Sequence, residues 1–451
     1  MTLARTLAGR FVPQGAALLS ALIFAGYLMG LVRDRIFART FGAGPELDAY
    51  NAAFVLPELT LDVLVASGLA APFIPIFVGL RREGRAADEF GQTILTGAVL
   101  IMSVAAAIMF VLAEETTALI APGFAGTQRE LYVSLFRLML ATPIIFAASL
   151  TLGEVLLAER RFLAYGSAPL LYNAGIVGGT VGLSGAIGIY GPAMGAVLGA
   201  LLHLAVRLWG LRGTSFRVRP RLAVRTPAVA DFLRLMLPKT ISHPIEPLTF
   251  LYFTAVASTL ASGSVTAVSF ARNFQSVPVS LFGVAFSLAA FPTLASAYAA
   301  GERSRFSASL VANLAAIGVL TGAAGIGLFV LSGFAIELLL GGGAFDADDV
   351  ALTSLVLAAF AISVPLESLT HLLSRAIYAT RHTLLQVGAS LAGFAITVAA
   401  TAILVPRIGI TAIPLGFAIG TGAKVVLLAF VLAWRLRRFE AAAGHSSAES
   451  T

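Results

Sequence analysis

AALLSALIFAGYLMGLVRDRIFARTFGAG, residues 16–44, contains both halves of the problem this chain poses. Ala16–Val32 carries no charged residue. At ~1.5 Å per residue a helix of this length crosses most of a ~30 Å hydrocarbon core. Arg5 and Arg10 precede the run as in a secretory leader, but it is long and has no clear small-residue cleavage site, so it reads as a first membrane span. Arg33, Asp34, Arg35 and Arg39 then follow where lipid is expected to continue.

Apolar runs of this kind recur to the end of the chain. Spans are expected near 15–38, 48–79, 89–112, 131–157, 164–188, 191–210, 229–258, 264–298, 307–333, 350–379, 384–404 and 410–435. The runs are continuous rather than alternating, and too long for barrel strands of ~10 residues, so the spans are helices. Charged residues make up 12% of the chain against about a quarter in soluble domains, which leaves too little polar surface for a soluble protein. The fold class expected is an all-α polytopic membrane protein with about twelve transmembrane helices. Cysteine is absent, which excludes disulfides, thiolate metal sites and cysteine nucleophiles.

The net charge of +7 follows loop topology and does not point to nucleic acid. Arg81, Arg82 and Arg85, then Arg160 and Arg161, then Arg212 to Arg225, Arg303 and Arg305, Arg381, and Arg435 to Arg438 occupy alternate loops. The intervening loops are almost free of Lys and Arg, with Arg129 and Arg407 as strays. By the positive-inside rule both termini are expected on the cytoplasmic side of the cytoplasmic (inner) membrane.

An internal repeat runs at an offset of about 220 residues. Leu69-Ala70-Ala71 with Pro72 recurs as Leu288-Ala289-Ala290 with Pro292. Gly188, Gly195 and Gly199 recur as Gly409, Gly416 and Gly420. Two pseudo-symmetric six-helix lobes are therefore expected around a central cavity: 1–210 and 229–436, joined by a basic cytoplasmic linker at 211–228 and followed by a polar tail at 437–451. Pro57, Pro143, Pro238, Pro244, Pro247, Pro278 and Pro365 lie inside spans and predict bent helices.

Charges at the bilayer centre cost about 2.5–3.5 kcal/mol on insertion scales, so they mark function or pairing. Asp48, Asn51, Glu58 and Asp62 share one helical face of the second span. Lys239, His243 and Glu246 form a face on the seventh and Glu367, His371 and Arg375 on the tenth, and Arg272, Asn273 and Gln275 add polar groups on the eighth. Arg33, Arg35 and Arg39 break the topology rule, which favours a cationic site for an anionic ligand such as a diphosphate held by guanidinium forks. The competing reading is structural pairing with Asp34, Asp48 or Glu58. Glu58 and Asp62 suit proton or Na⁺ carriage, or counter-ion duty for Arg272. His203, His243 and His371 read as packed histidines. No HExxH, GxSxG, Walker loop or metal-binding acidic pair is present, so a transporter is expected, with no catalytic residues and no cofactor. The glycines at 341–343 and 178–179 read as turns and close helix packing.

The segment Gly30-Leu31-Val32-Arg33-Asp34-Arg35-Ile36-Phe37-Ala38-Arg39-Thr40-Phe41-Gly42-Ala43-Gly44, followed by Asp48-Ala49 and Leu56-Pro57, resembles the N-terminal signature of the MurJ/MviN family. That family belongs to the multidrug/oligosaccharidyl-lipid/polysaccharide exporter superfamily. Phe73-Ile74-Pro75, Ala121-Pro122-Gly123-Phe124, Ala261-Ser262-Gly263-Ser264-Val265, Pro278 with Gly283-Val284-Ala285, and Arg375 with Tyr378-Ala379 extend the likeness over most of the chain. The resemblance implies a V of two lobes and export of lipid II, the lipid-linked peptidoglycan precursor, by alternating access. It also implies that Arg33, Asp48, Gly30 and Gly42 matter for activity.

The chain departs from the family at several positions. Tyr27 stands for an arginine, Glu58 for an asparagine, Leu61-Asp62 for a basic pair, Ser67-Gly68 for Glu-Gly, and Arg272-Asn273 for Asp-Arg. Better-known members add two spans beyond the twelfth. Taking the resemblance, which covers Arg33 and Asp48, together with the intramembrane charges, Arg33, Arg35, Arg39, Asp48, Lys239 and Arg272 are the expected substrate-binding residues. Glu58, Asp62, Glu246 and Glu367 balance charge or couple transport to H⁺, Na⁺ or the membrane potential. The partners implied are a lipid-linked saccharide diphosphate, membrane lipids and cell-wall synthesis enzymes. A flippase for another lipid-linked glycan, an ion-coupled drug antiporter of the same superfamily, and a transport-inactive scaffold for wall synthesis stay open as alternatives.

Overall fold

The computed structural model describes residues 14–242, 245–380 and 383–448. Among them no β-strand forms, and the helices follow the expected spans. The first, α1 (Gln14–Phe41), ends at Gly42, whose φ of +66° is the left-handed cap that glycine adopts without strain. Pro45 then begins α2 (Pro45–Leu61), which passes through a π turn, Asp62–Ala66, into α3 (Ser67–Arg82). Next come α4 (Ala87–Val111), α5 (Ala113–Ile120), α6 (Gly126–Met139), α7 (Ala141–Ala158), α8 (Phe162–Ile187) and α9 (Tyr190–Gly210). After the basic stretch lie α10 (Pro227–Ser242) and α11 (Ile245–Ser258). The remainder is α12 (Ser264–Pro278), a second π turn Val279–Val284, α13 (Ala285–Ala299), α14 (Arg303–Leu339), α15 (Ala347–Ala361), α16 (Ser363–Ala379), α17 (Thr383–Ile408) and α18 (Ala412–Ala448).

Eight of these helical stretches are long and apolar enough to cross a membrane, and the pair α15–α16, bent by 42°, makes a ninth. One of the eight, Leu384–Leu436, is interrupted by a 3₁₀ turn at Gly409–Thr411 and covers two expected spans. With α1 and α10–α11, twelve spans are consistent with this arrangement.

The repeat is visible in backbone detail. Both π turns sit in the second helix of their repeat, Asp62–Ala66 after Pro57 and Val279–Val284 directly after Pro278. Pro143 and Pro365 lie in the first turns of α7 and α16, where a missing N–H costs little. Gly188 and Gly409 close the α8–α9 and α17–α18 hairpins with φ of +57° and +59°.

In lipid, helices associate by packing and not by escape from water, so small residues decide how closely they approach. On α8 and α9, Gly175, Gly179, Gly195 and Gly199 meet backbone to backbone, and a Cβ on any of them would strike the facing chain. On α17 and α18, Gly416 and Gly420 face Thr401 and Thr397 in the same way.

The chain forms two compact units, one comprising everything through Gly263 together with Leu339–Phe345, the other Ser264–Leu338 with Asp346 onward. Helix α10 belongs to the first. It leans on α3 where Gly68 lacks a side chain: an added Cβ would collide with Met236 and lie 3.2 Å from Thr240 Oγ1. An aromatic cluster of Phe73, Phe77, Phe90, Phe216 and Phe232 fills the core of this unit. The basic stretch before α10 is docked along α4. Phe216 enters the core over Gly91, Gln92 Nε2 donates to the Arg217 carbonyl at 2.6 Å, and Arg221 pairs with Glu89 at 3.0 Å. The second unit is cored by Leu294, Phe306, Ile317, Leu372, Ile377 and Leu428.

Candidate functional site

At the end of α1 in the first unit, Asp34 is buried, and its Oδ1 accepts from Arg33 Nε at 3.0 Å and Nη2 at 2.8 Å. Arg33 Nη1 donates to Asn173 Oδ1 of α8 at 3.1 Å. Three of the five guanidinium N–H bonds are thereby engaged, while the side chain stays 26% accessible. Tyr50 and Glu58 from α2 and Tyr172 from α8 lie within electrostatic reach of this charge, and Asp62 lies near Glu58. Glu58 is exposed. Arg33, Glu58 and Asp62 thus form a charged row carried by α1, α2 and the first π turn.

The acidic stripe drawn along the second span does not act as one surface. Asp48 is buried, and its Oδ2 accepts the Gly263 N–H at 2.7 Å. Gly263 has φ of +87° and sits against the Ala43 carbonyl, so the Asp48 carboxylate fastens the turn after α11 to the start of α2. A shared helical face fixes direction and not depth: at ~1.5 Å per residue Asp48 stands about 15 Å along α2 from Glu58, and there the turn at Gly263 covers it.

Arg35 and Arg39, expected among the anion-binding groups, bond to backbone in this structure. Arg35 Nη1 donates to the Leu339 carbonyl at 3.0 Å, and Arg39 Nε and Nη2 both donate to the Gly341 carbonyl at 3.0 and 2.9 Å. The Ala344 N–H returns to the Arg39 carbonyl at 2.9 Å. Gly342 and Gly343, at φ of +102° and +66°, shape the turn that meets Arg39, and a side chain on either would run into that arginine. These arginines lock a glycine turn onto the end of α1.

In the second unit Arg272 and Glu367 are both buried and pair fork to fork, with Nη1 to Oε2 at 2.6 Å and Nη2 to Oε1 at 2.7 Å. Gln275, which also accepts from Arg272, donates from Nε2 to Glu367 at 2.9 Å and to Ser363 Oγ at 3.2 Å. The Phe417 ring lies 5.2 Å from the guanidinium. Arg272, also expected on the substrate, is held here by protein groups on nearly every side, and Glu367 neutralises it. The clamp joins α12 to the first turns of α16, just past the 42° bend. Further along α16, Arg375 Nη1 donates to the His371 carbonyl at 3.2 Å.

Glu246 is exposed in the first turn of α11. The side chain of Lys239, and His243 altogether, lie outside the described residues. A buried pair in the first unit escaped sequence reasoning, Glu154 on α7 with Arg207 on α9, beside His203, which is buried, as expected of a packed histidine. Glu154 follows a glycine inside an apolar span and was visible as an intramembrane charge. Arg207 passes as a loop-flanking residue, because it stands one turn from the end of α9.

The lipid II flippase MurJ family model matches residues 37–450. A probable lipid II flippase MurJ of Thermotoga maritima is 28% identical over 406 residues, covering 90% of this chain and 82% of that protein. The lipid II flippase MurJ of Burkholderia cenocepacia is 25% identical over 415 residues, covering 88% and 79%. Among solved structures, an inward-closed lipid II flippase MurJ superposes with a TM-score of 0.79 at 22% identity, over 92% of this chain and 87% of that one. An inward-facing multidrug MATE transporter of the MOP superfamily gives 0.77 at 15% identity, over 94% and 98%. At these identities the two structures speak for the fold.

Proposed function

Since this chain belongs to the lipid II flippase MurJ family, we propose that it carries lipid II from the cytoplasmic to the outer leaflet of a bacterial cytoplasmic membrane by alternating access. The observation that carries the assignment of the site is Arg33. It keeps two N–H donors uncommitted and a quarter of its side chain accessible beside Glu58 and Asp62, whereas Arg272 is buried against Glu367, and Arg35 and Arg39 are turned onto the backbone carbonyls of Leu339 and Gly341. A planar guanidinium with a free edge suits a diphosphate oxygen pair. Asp34 and Asn173 fix its plane, so the fork is oriented before the ligand arrives.

In this reading Arg33 contacts the diphosphate. Glu58, Asp62 and Glu246 balance charge as the anion enters and leaves, coupling the cycle to H⁺, Na⁺ or the membrane potential, and Lys239 assists from the seventh span. The placement of the basic loops supports a cytoplasmic position for both termini. Cell-wall synthesis enzymes are the partners that would use the exported precursor. The test is depletion complementation. Expressed in cells losing their own lipid II flippase, the wild-type chain restores growth, and Arg33→Ala at matched membrane levels does not. Failure of the wild-type chain to rescue at normal expression would overturn the proposal.

A further inference from the structure

Glu154 lies one turn before the end of α7, at the end of the bundle that carries the basic loops. It is 7% exposed, and its Oε2 has no hydrogen-bond partner. Arg207, 3% exposed, faces it from α9. Yet the guanidinium is directed elsewhere. Nη1 donates to the Ser149 carbonyl at 2.8 Å, the ring of Tyr165 lies 4.9 Å from Cζ, and Nε has no partner. The Arg207 guanidinium lies flat across Gly153, where any Cβ would collide with it. An orphaned carboxyl oxygen and an orphaned guanidinium N–H therefore occupy one buried site without meeting.

Ionised, a buried carboxyl with no donor is costly, and an ionised Glu154 would draw the Arg207 guanidinium onto itself, whereas that group rests on the Ser149 carbonyl and the Tyr165 ring. Both features fit a carboxyl that carries a proton in the arrangement seen here. We infer that Glu154 and Arg207 form a reversible proton-binding site in the first unit. Glu154 holds the proton as a neutral acid while Arg207 rests on the Ser149 carbonyl and the Tyr165 ring. When the proton passes to water at the basic-loop end, the carboxylate takes the Arg207 Nε–H and α9 is drawn toward α7.

The groups facing Glu154 are Arg207 from α9 and Tyr165 from α8, with His203 beside Arg207 and bonded through Nδ1 to Ser149 Oγ at 2.7 Å. The other elements packed on α7 present charges engaged elsewhere. Glu58 and Asp62, on α2 and the π turn, face Arg33 and each other. Arg81 of α3 pairs with Asp88 of α4 and with Glu159, and Arg137 of α6 donates to the Phe110 carbonyl. This site is separate from the Arg33 row and does not depend on which substrate is carried.

The test uses full-length protein in liposomes without lipid II, titrated while the infrared absorption of protonated carboxyl groups is recorded. The expected result is a carboxylic-acid band that disappears as pH rises between roughly pH 5 and 9, is absent in Glu154→Gln and persists in Glu58→Gln. Arg207→Gln shifts its midpoint upward by about one pH unit or more, because the positive charge favouring the anion is gone. If Glu154→Gln does not fold, the midpoint shift in Arg207→Gln decides alone. No band removed by Glu154→Gln in a folded protein, or an unmoved midpoint in Arg207→Gln, overturns the inference.

Discussion

Arg33 in the first unit and Arg272 in the second are both guanidiniums inside membrane helices, held in opposite ways. Arg272 meets a carboxylate fork, an amide and an aromatic face, all buried. Arg33 meets one carboxylate oxygen and one amide and keeps an accessible edge. The scaffolds around them repeat, with π turns, first-turn prolines and hairpin glycines at matching places. The charges do not repeat. The repeat accounts for the fold, whereas the charge placed on each copy separates a fastening from the proposed binding site.

This contrast can be broken most forcefully at the clamp. Arg272→Ala strands Glu367 as a buried unpaired charge and lowers stability by about 3–5 kcal/mol, read as a fall in the detergent unfolding midpoint. Arg272→Met with Glu367→Leu removes both charges and recovers most of that loss. If the double variant is no more stable than the single one, the pair is not the fastening described here.

The equivalence of the scaffolds is tested next. Gly199→Val on α9 and Gly420→Val on α18 each force a side chain into a facing helix backbone. Overpacking of this kind costs about 1–3 kcal/mol, and the two losses should be similar. A large loss at one position with none at the other contradicts the shared packing.

Asp48→Asn has a smaller effect. It keeps an acceptor oxygen for the Gly263 N–H but gives up the charge, for a loss of about 1 kcal/mol and little change in transport. Arg33→Lys is the mildest for stability. It still neutralises Asp34, so the midpoint moves by less than about 1 kcal/mol, while the lost fork lowers affinity for lipid II in a binding titration. Unchanged affinity would separate Arg33 from the ligand.

Much of this architecture was legible in the sequence, because apolar length, loop arginines and repeated glycines are local signals. Gly195 and Gly199, matched by Gly416 and Gly420, stand where the repeat predicts close contact, and the backbone makes it. The site was legible only as a set of charges. Nothing in the spacing of Arg33, Arg35 and Arg39 reveals that Gly341, three hundred residues away, engages Arg39 while Asn173 engages Arg33. Which charge is paired depends on long-range backbone carbonyls, and these leave no residue-type signal. Glu154 and Arg207 escaped for the same reason, since their juxtaposition depends on a slot made by Gly153.

The most direct measurement of the central claim is leaflet exchange of labelled lipid II in proteoliposomes, comparing the wild-type chain with Arg33→Gln combined with Asp34→Asn. That double variant removes both charges together, so neither is left unpaired in the membrane, and its folding is checked by the unfolding midpoint. The account predicts exchange by the wild-type chain and a fall of at least about tenfold in the variant, some 1.4 kcal/mol of lost stabilisation. Wild-type exchange rates in the folded variant would contradict it.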